Sequence, residues 1–126
     1  MQRKGSDMET SIKNKFKAFT SIEQSKKLAK ILPHESADMC YNDGELRIGY
    51  AQLAIERDDY FPCWSLDALL EIIHKDFYIV LDHDGITWTV AVRHHDNRDI
   101  KDLVYTNEPI DSCVEMIVKL KEKGLI

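Results

Sequence analysis

Apolar residues recur along the chain with two periods, and the places where one period gives way to the other divide it into elements. The clearest switch is Phe61-Pro62-Cys63-Trp64-Ser65-Leu66-Asp67-Ala68-Leu69-Leu70-Glu71-Ile72-Ile73. Pro62 keeps Phe61 extended, and Ser65 is suited to cap a helix, its hydroxyl accepting from a first-turn N–H for ~1 kcal/mol. Asp67 stands beside the positive end of that helix's dipole, and Trp64 and Leu69 have the spacing of a hydrophobic staple. These features predict a helix over 65–75. Beyond it the period drops to two. Phe77, Ile79 and Leu81 alternate with Tyr78 and Val80, and Ile86, Trp88, Val90 and Val92 alternate with Thr87, Thr89, Ala91 and Arg93. Asp84-Gly85 between the two runs is a tight-turn signal, which predicts a hairpin at about 77–94. Leu103-Val104-Tyr105 is a candidate third strand.

Upstream of the switch, Thr20-Ser21-Ile22-Glu23 reads as a capping box with Thr20 as the cap and Glu23 as its partner. It opens a helix over 20–32 that Pro33 stops. A short helical turn is expected over 35–41, a turn at Asn42-Asp43-Gly44, and a half-buried strand over 46–50. Residues 52–60 have no clear period, and 56–59 read as a loop. Ile12, Phe16 and Phe19 follow a weak helical spacing with Lys13, Lys15 and Lys17 between them. The last helix is predicted over 109–123. Pro109 suits its first turn, Ile110, Cys113, Val114, Ile117 and Leu120 form its apolar stripe, and Gly124 stops it. Helical and antiparallel-strand runs are segregated, so the class is α+β: a small antiparallel sheet of three to four strands packed with three main helices. Residues 1–18 read as a flexible basic extension and 19–126 as a single domain.

Composition narrows the class. A chain of 126 residues, 31% charged and 44% hydrophobic, fits one globular domain that buries roughly two thirds of its unfolded surface. No apolar run approaches the length of a membrane span, so no membrane association is expected. The first eight residues lack an apolar core after their basic positions, so no secretory signal is expected. Cys40, Cys63 and Cys113 are odd in number and widely spaced, as expected for reduced thiols in a cytoplasmic protein. The net charge of −5 is unevenly spread: residues 1–30 hold eight Lys/Arg against three Asp/Glu, and the remainder nine against nineteen. An acidic body argues against a broad nucleic-acid face. Lys13, Lys15, Lys17, Lys26, Lys27 and Lys30 are nevertheless the candidate contacts to a phosphate backbone or an acidic partner.

Candidate chemistry is sparse. Asp82-His83-Asp84 and His94-His95-Asp96 form the one cluster dense enough to suggest a metal-dependent hydrolase using residues 82–96. A hairpin places the two triplets at opposite ends, and strand alternation sends His94 and His95 to opposite faces. Polar residues at a turn and a strand end are the plainer reading, so no metal and no cofactor is expected. A helix of about ten residues holds Cys63 ~15 Å from His74, too far for a nucleophile and its base. No phosphate-binding glycine loop, serine elbow or paired-histidine metalloprotease motif occurs, and no catalytic residue is assigned. Tyr60, Phe61 and Trp64 flank an element end and are the candidate partner surface, although staple geometry also explains Trp64, and alternation Trp88, as core anchors.

Three sets of residues carry a resemblance. They are Thr20-Ser21-Ile22-Glu23-Gln24-Ser25-Lys26-Lys27-Leu28 with Glu35-Ser36-Ala37-Asp38-Met39-Cys40-Tyr41; Pro62-Cys63-Trp64-Ser65-Leu66 with Ala68-Leu69-Leu70-Glu71; and Pro109-Ile110-Asp111 with Cys113-Val114-Glu115-Met116-Ile117. Together, over most of 19–124, they resemble a family of small uncharacterised gut-bacterial proteins often found in prophage or mobile-element contexts. The basic extension and residues 42–60 fall outside the resemblance. It implies a setting, a bacterial cytoplasm and mobile-element DNA, and no catalytic residues. The expectation is a non-enzymatic accessory or interaction module that binds an unknown protein partner or itself, the alternatives being nucleic-acid association through the basic segment and the small hydrolase.

Overall fold

The computed structural model describes residues 17–42, 45–48 and 60–126. In chain order they form α1 (Ile22–Ala29), a 3₁₀ turn (His34–Ser36), β1 (Met39–Asn42), β2 (Glu45–Ile48), β3 (Tyr60–Cys63), α2 (Leu66–His74), β4 (Phe77–His83), β5 (Trp88–His94), β6 (Lys101–Thr106) and α3 (Pro109–Glu122). β1 is the middle strand of one antiparallel sheet, between β2 and β3, and β4-β5-β6 is an antiparallel meander forming a second. The class is α+β, with the three helices where the periodicity puts them and the strands divided between two sheets.

α2 begins as its residues dictate. Ser65 caps it, its Oγ accepting from Ala68 N at 3.1 Å, and it also donates to the Asp38 carboxylate. Trp64 and Leu69, the staple pair, are both fully buried in the core. α1 differs by one residue from the expected box. Its cap is Ser21, which accepts from Gln24 N at 3.2 Å, while Gln24 Oε1 accepts from Ser21 N at 3.0 Å. Thr20 cannot serve because it is taken up elsewhere. Its N–H donates to Trp64 O at 2.9 Å, its Oγ1 accepts from Trp64 N at 3.1 Å and meets Ser25 Oγ at 2.8 Å, and its carbonyl accepts from Tyr41 Oη at 2.8 Å. With Phe19 bridged to Ser65, the strand-like pairing runs up to Thr20 and the helix starts one residue later.

Residues 39–41, expected in a helical turn, are instead strand. Both edges of β1 are paired, Cys40 to Arg47 on one side and to Pro62 on the other, and two sets of ladder hydrogen bonds override a weak local helical preference. β3 falls partly within the stretch that has no clear period. Among the described residues it pairs only with β1, and an outer strand tolerates Pro62, whose nitrogen cannot donate to a ladder. Of the expected turn and strand at 42–50, β2 is formed, while residues 43–44 and 49–59 lie outside the described residues. Residues 1–16 of the basic extension also lie outside them. Lys17 and Ala18 are pinned to the body, through Lys17 N to Glu108 Oε1 at 2.9 Å and Leu66 N to Ala18 O at 3.3 Å.

The second sheet carries the core on one face. Phe77, Val90, Val92 and Val104 are buried there against Ile110, Cys113, Ile117 and Leu120 of α3 and Leu69 and Ile73 of α2. At the turn between β4 and β5, Gly85 has φ +97°, a left-handed conformation that suits glycine. Asp84 secures it by accepting from Ile86 N and Thr87 N, both at 2.8 Å. On β6, Asp102 accepts from Lys119 Nζ at 2.9 Å and from Lys123 Nζ at 2.7 Å, both on or capping α3. Burial alone would push this carboxyl up. The bonds from Lys123, Lys119 and Leu103 N–H outweigh that effect and hold its pKa at about 2. Leu103 N donates to Asp102 Oδ1 at 2.8 Å and Leu103 O accepts from Lys119 Nζ at 3.5 Å. Both backbone groups of Leu103 therefore face away from β5, and the outer edge of β6 is closed there by side chains.

Two outcomes follow. Thr20→Val keeps the shape but removes the hydroxyl, leaving Trp64 N–H and Ser25 without that partner. It should lower stability in urea unfolding by about 2–3 kcal/mol, with Thr20→Ser costing less. Because Asp102 has a depressed folded pKa, its contribution is complete above the ordinary carboxylate range near pH 4 and is lost as pH falls towards about 2. Thermal melts of Asp102→Asn should lie below the wild type at neutral pH and converge with it near pH 2.

Candidate interaction surface

The register of the second sheet generates a small grid on the face turned away from the helices. Tyr78 pairs with Arg93 and Arg93 with Lys101; Val80 pairs with Ala91 and Ala91 with Leu103; Asp82 pairs with Thr89 and Thr89 with Tyr105. Strand alternation puts all nine on one side, opposite Phe77, Ile79, Val90, Val92 and Val104. The apolar members are open to solvent: Tyr78 is 52% exposed, Val80 61%, Leu103 41% and Tyr105 62%. Among the described residues no helix covers this side, because α2 and α3 both pack on the other.

Charge on the face is segregated by row. Arg93 and Lys101 occupy one end with Arg98 of the following loop beside them. Among the described residues none of the three has an ion-pair partner. Asp82 is exposed at the other end. His95 packs its ring edge on Tyr78, with centroids 4.5 Å apart, and so fixes one corner. The result is an apolar middle row between a cationic and an anionic end.

The residues singled out from the sequence lie elsewhere. Trp64 is fully buried with its Nε1 donating to Ser36 Oγ at 2.9 Å, so it is a core anchor and offers no surface. Phe61 is half-buried, 5.6 Å from the Tyr41 ring and 5.6 Å from Lys26 Nζ, and Tyr60 is half-buried on the same strand. Lys17 is drawn to Asp111 at 2.7 Å and Glu108 at 3.7 Å. Lys26, Lys27 and Lys30 are exposed on or just after α1, while Lys13 and Lys15 lie outside the described residues.

The His/Asp residues at 82–96 separate as hairpin geometry requires. His94 pairs with Phe77, five residues along β5 from the Asp82–Thr89 pair, a distance of ~17 Å. His94 Nδ1 accepts from Asp96 N at 3.1 Å and Asn97 N at 3.2 Å, which shapes the β5–β6 loop. Among the described residues no three His, Cys, Asp or Glu side chains are placed to hold a metal ion. A cleft between the 3₁₀ turn and α2 has a largely apolar lining that includes Leu32, Leu70 and Ile72, rimmed by Glu35, Asp38, Asp67 and Glu71; the Ser36 hydroxyl on it is engaged with Pro33 O and Trp64 Nε1.

The thiols are equally enclosed. Cys40, Cys63 and Cys113 are all fully buried. Burial pushes Cys63 up, only partly countered by hydrogen bonds from Thr20, Ser25 and Tyr41, and pushes Cys113 up to about 12. A thiol held protonated and out of solvent is a poor nucleophile. Tyr41, beside Cys63, is raised to about 12 by burial and then by that thiol.

The grid was missed in the sequence because both phases of Phe77-Tyr78-Ile79-Val80-Leu81 are apolar, which alternation alone cannot assign to core or surface. The available signal was that a three-stranded meander followed by one amphipathic helix covers one face only.

For the cysteines, Ellman's reagent should leave all three thiols unreacted in the native protein over minutes and titrate them at once in 6 M guanidinium (a denaturing concentration); one fast-reacting native thiol would contradict the burial described.

No known protein family, curated protein or solved structure matches the chain.

Proposed function

We propose that this chain is a non-catalytic interaction module whose binding surface is the outer face of the second sheet. The observation that carries the reading is the group of Tyr78, Val80, Leu103 and Tyr105, four large apolar side chains left exposed together on one rigid face. Contiguous apolar patches on small proteins are most often sites of association, and aromatic and arginine side chains are the types that anchor interfaces. A sheet supplies them with no backbone left to order on binding, because strand pairing already fixes the main chain. The reading also accords with the enclosed thiols and the dispersed histidines, which offer no reactive centre. In the setting that the resemblance implies, the module is an accessory in a bacterial cytoplasm, working on a protein partner.

Nucleic-acid association through the basic segment has less support. Lys27 and Lys30 are exposed, but Lys17 is paired with carboxylates and Lys26 lies over Phe61.

Photo-cross-linking tests the proposal. A benzophenone side chain in place of Tyr105 or Tyr78 should give adducts on irradiation in expressing cells, and the same group in place of Glu71 on α2 should not. Val80→Thr with Leu103→Thr should abolish the adducts at Tyr105 while moving Tm by only a few degrees, as surface substitutions do. Equal cross-linking from α2 and from the sheet face would remove the reason for placing the surface here.

A further inference from the structure

We infer that the partner on this face is a second copy of the same chain, related by a twofold axis that runs across the strands through the Val80–Ala91–Leu103 row. The inference rests on the reading of the face as an interaction surface and adds the identity of its occupant.

The face is complementary to itself. A twofold dimer must match a surface to itself, and the two in-plane axes that keep strands aligned with strands run along them or across them. An axis along the strands sets Arg93 against Arg93 of the second copy at the interface centre, an unfavourable desolvated like-charge pair. An axis across the strands keeps the middle row on itself and exchanges the two ends. Val80 then faces Val80, Ala91 faces Ala91 and Leu103 faces Leu103, each the residue of the other copy, so the apolar row is covered by its own equivalent. At the ends, Tyr78 faces Asp82, whose carboxylate accepts from the phenol. Arg93 faces Thr89, whose hydroxyl accepts from the guanidinium. Lys101 faces Tyr105, placing an ammonium over an aromatic ring. Every outer position of the observed register meets a chemically suited partner, and no like charges oppose.

Charge balance also favours a second copy over a nucleic acid. A strand of phosphates matches Arg93, Lys101 and Arg98 but runs against Asp82 at the other end and an acidic body. Size sets the strength. Three strands ~4.8 Å apart and about six residues long present a footprint of only ~300 Å², below the ~800 Å² per partner of stable complexes. The dimer is therefore a weak, transient one.

Sedimentation equilibrium on the full chain from micromolar to near-millimolar concentration should show a mass rising above 14.6 kDa towards twice that value. Val80→Lys or Leu103→Lys sets two ammonium groups against each other across the axis and should weaken association at least tenfold. Val80→Thr and Leu103→Thr, which keep strand propensity, should weaken it several-fold and cover the case in which a lysine variant does not fold. A short bismaleimide should join Val80→Cys chains and Leu103→Cys chains to themselves, but Arg93→Cys chains only when mixed with Thr89→Cys chains. A monomer at every concentration, a dimer indifferent to both positions, or self-cross-linking of Arg93→Cys would overturn the inference. So would a monomer that binds labelled oligo(dT) or oligo(U) through Leu103 and Lys101. A strict monomer that still yields Tyr105 adducts with another protein leaves the interaction module standing and removes only the second copy.

Discussion

The structure depends on how the chain is tied together at Thr20. This residue is fully buried, and its amide, carbonyl and hydroxyl are all engaged, with Trp64, Tyr41 and Ser25. It therefore joins the start of α1, the middle strand of the first sheet and the entry to α2. Polar groups in such a place are costly when unpaired and specific when paired. A one-residue slip that put Phe19 in this place would leave Trp64 N–H and Ser25 Oγ without the hydroxyl they bond. The register of the N-terminal half is thus set by hydrogen bonding, and the apolar core of α2, α3 and the second sheet is assembled on that register.

Elements whose reasons are local were legible from residue types alone. The start of α2 at Ser65, the hairpin built on Asp84-Gly85 and the stripe of α3 from Ile110 to Leu120 each carry their cause within a dozen residues. β1 and β3 do not. Each is four residues long, and the pairing of the two with each other joins segments well separated in sequence. Thr20 shows the same limit on a smaller scale, since it has every local qualification for a cap and is withdrawn from that role by Trp64, 44 positions away. The interaction face was hidden for a related reason. Tyr78 and Val80 look like core residues beside Phe77 and Ile79, and only the placement of α2 and α3 on one side decides which pair is left outside.

Trp64 shows how a residue with two sequence readings is resolved by packing. Its indole nitrogen finds Ser36 Oγ and its ring is fully buried, so the aromatic character that suggested a surface serves to fix the 3₁₀ turn against the head of α2. The face that is open carries aromatics whose hydroxyl groups can stay in water, namely Tyr78 and Tyr105, which is the chemical distinction between an aromatic suited to a core and one suited to intermittent exposure.

The closure of β6 by Asp102 and Lys119 has a consequence for what the chain can build. Extending a sheet without limit requires two receptive borders, one to offer a strand and one to accept it, so that copies add head to tail. Here one border is occupied at Leu103 by an aspartate and a lysine. A strand arriving at β6 therefore finds the Leu103 N–H and carbonyl already engaged and cannot complete a ladder there. An exposed apolar face can thus coexist with protection against sheet extension at β6, because the blocking groups are the Asp102 and Lys119 side chains and not a covering element.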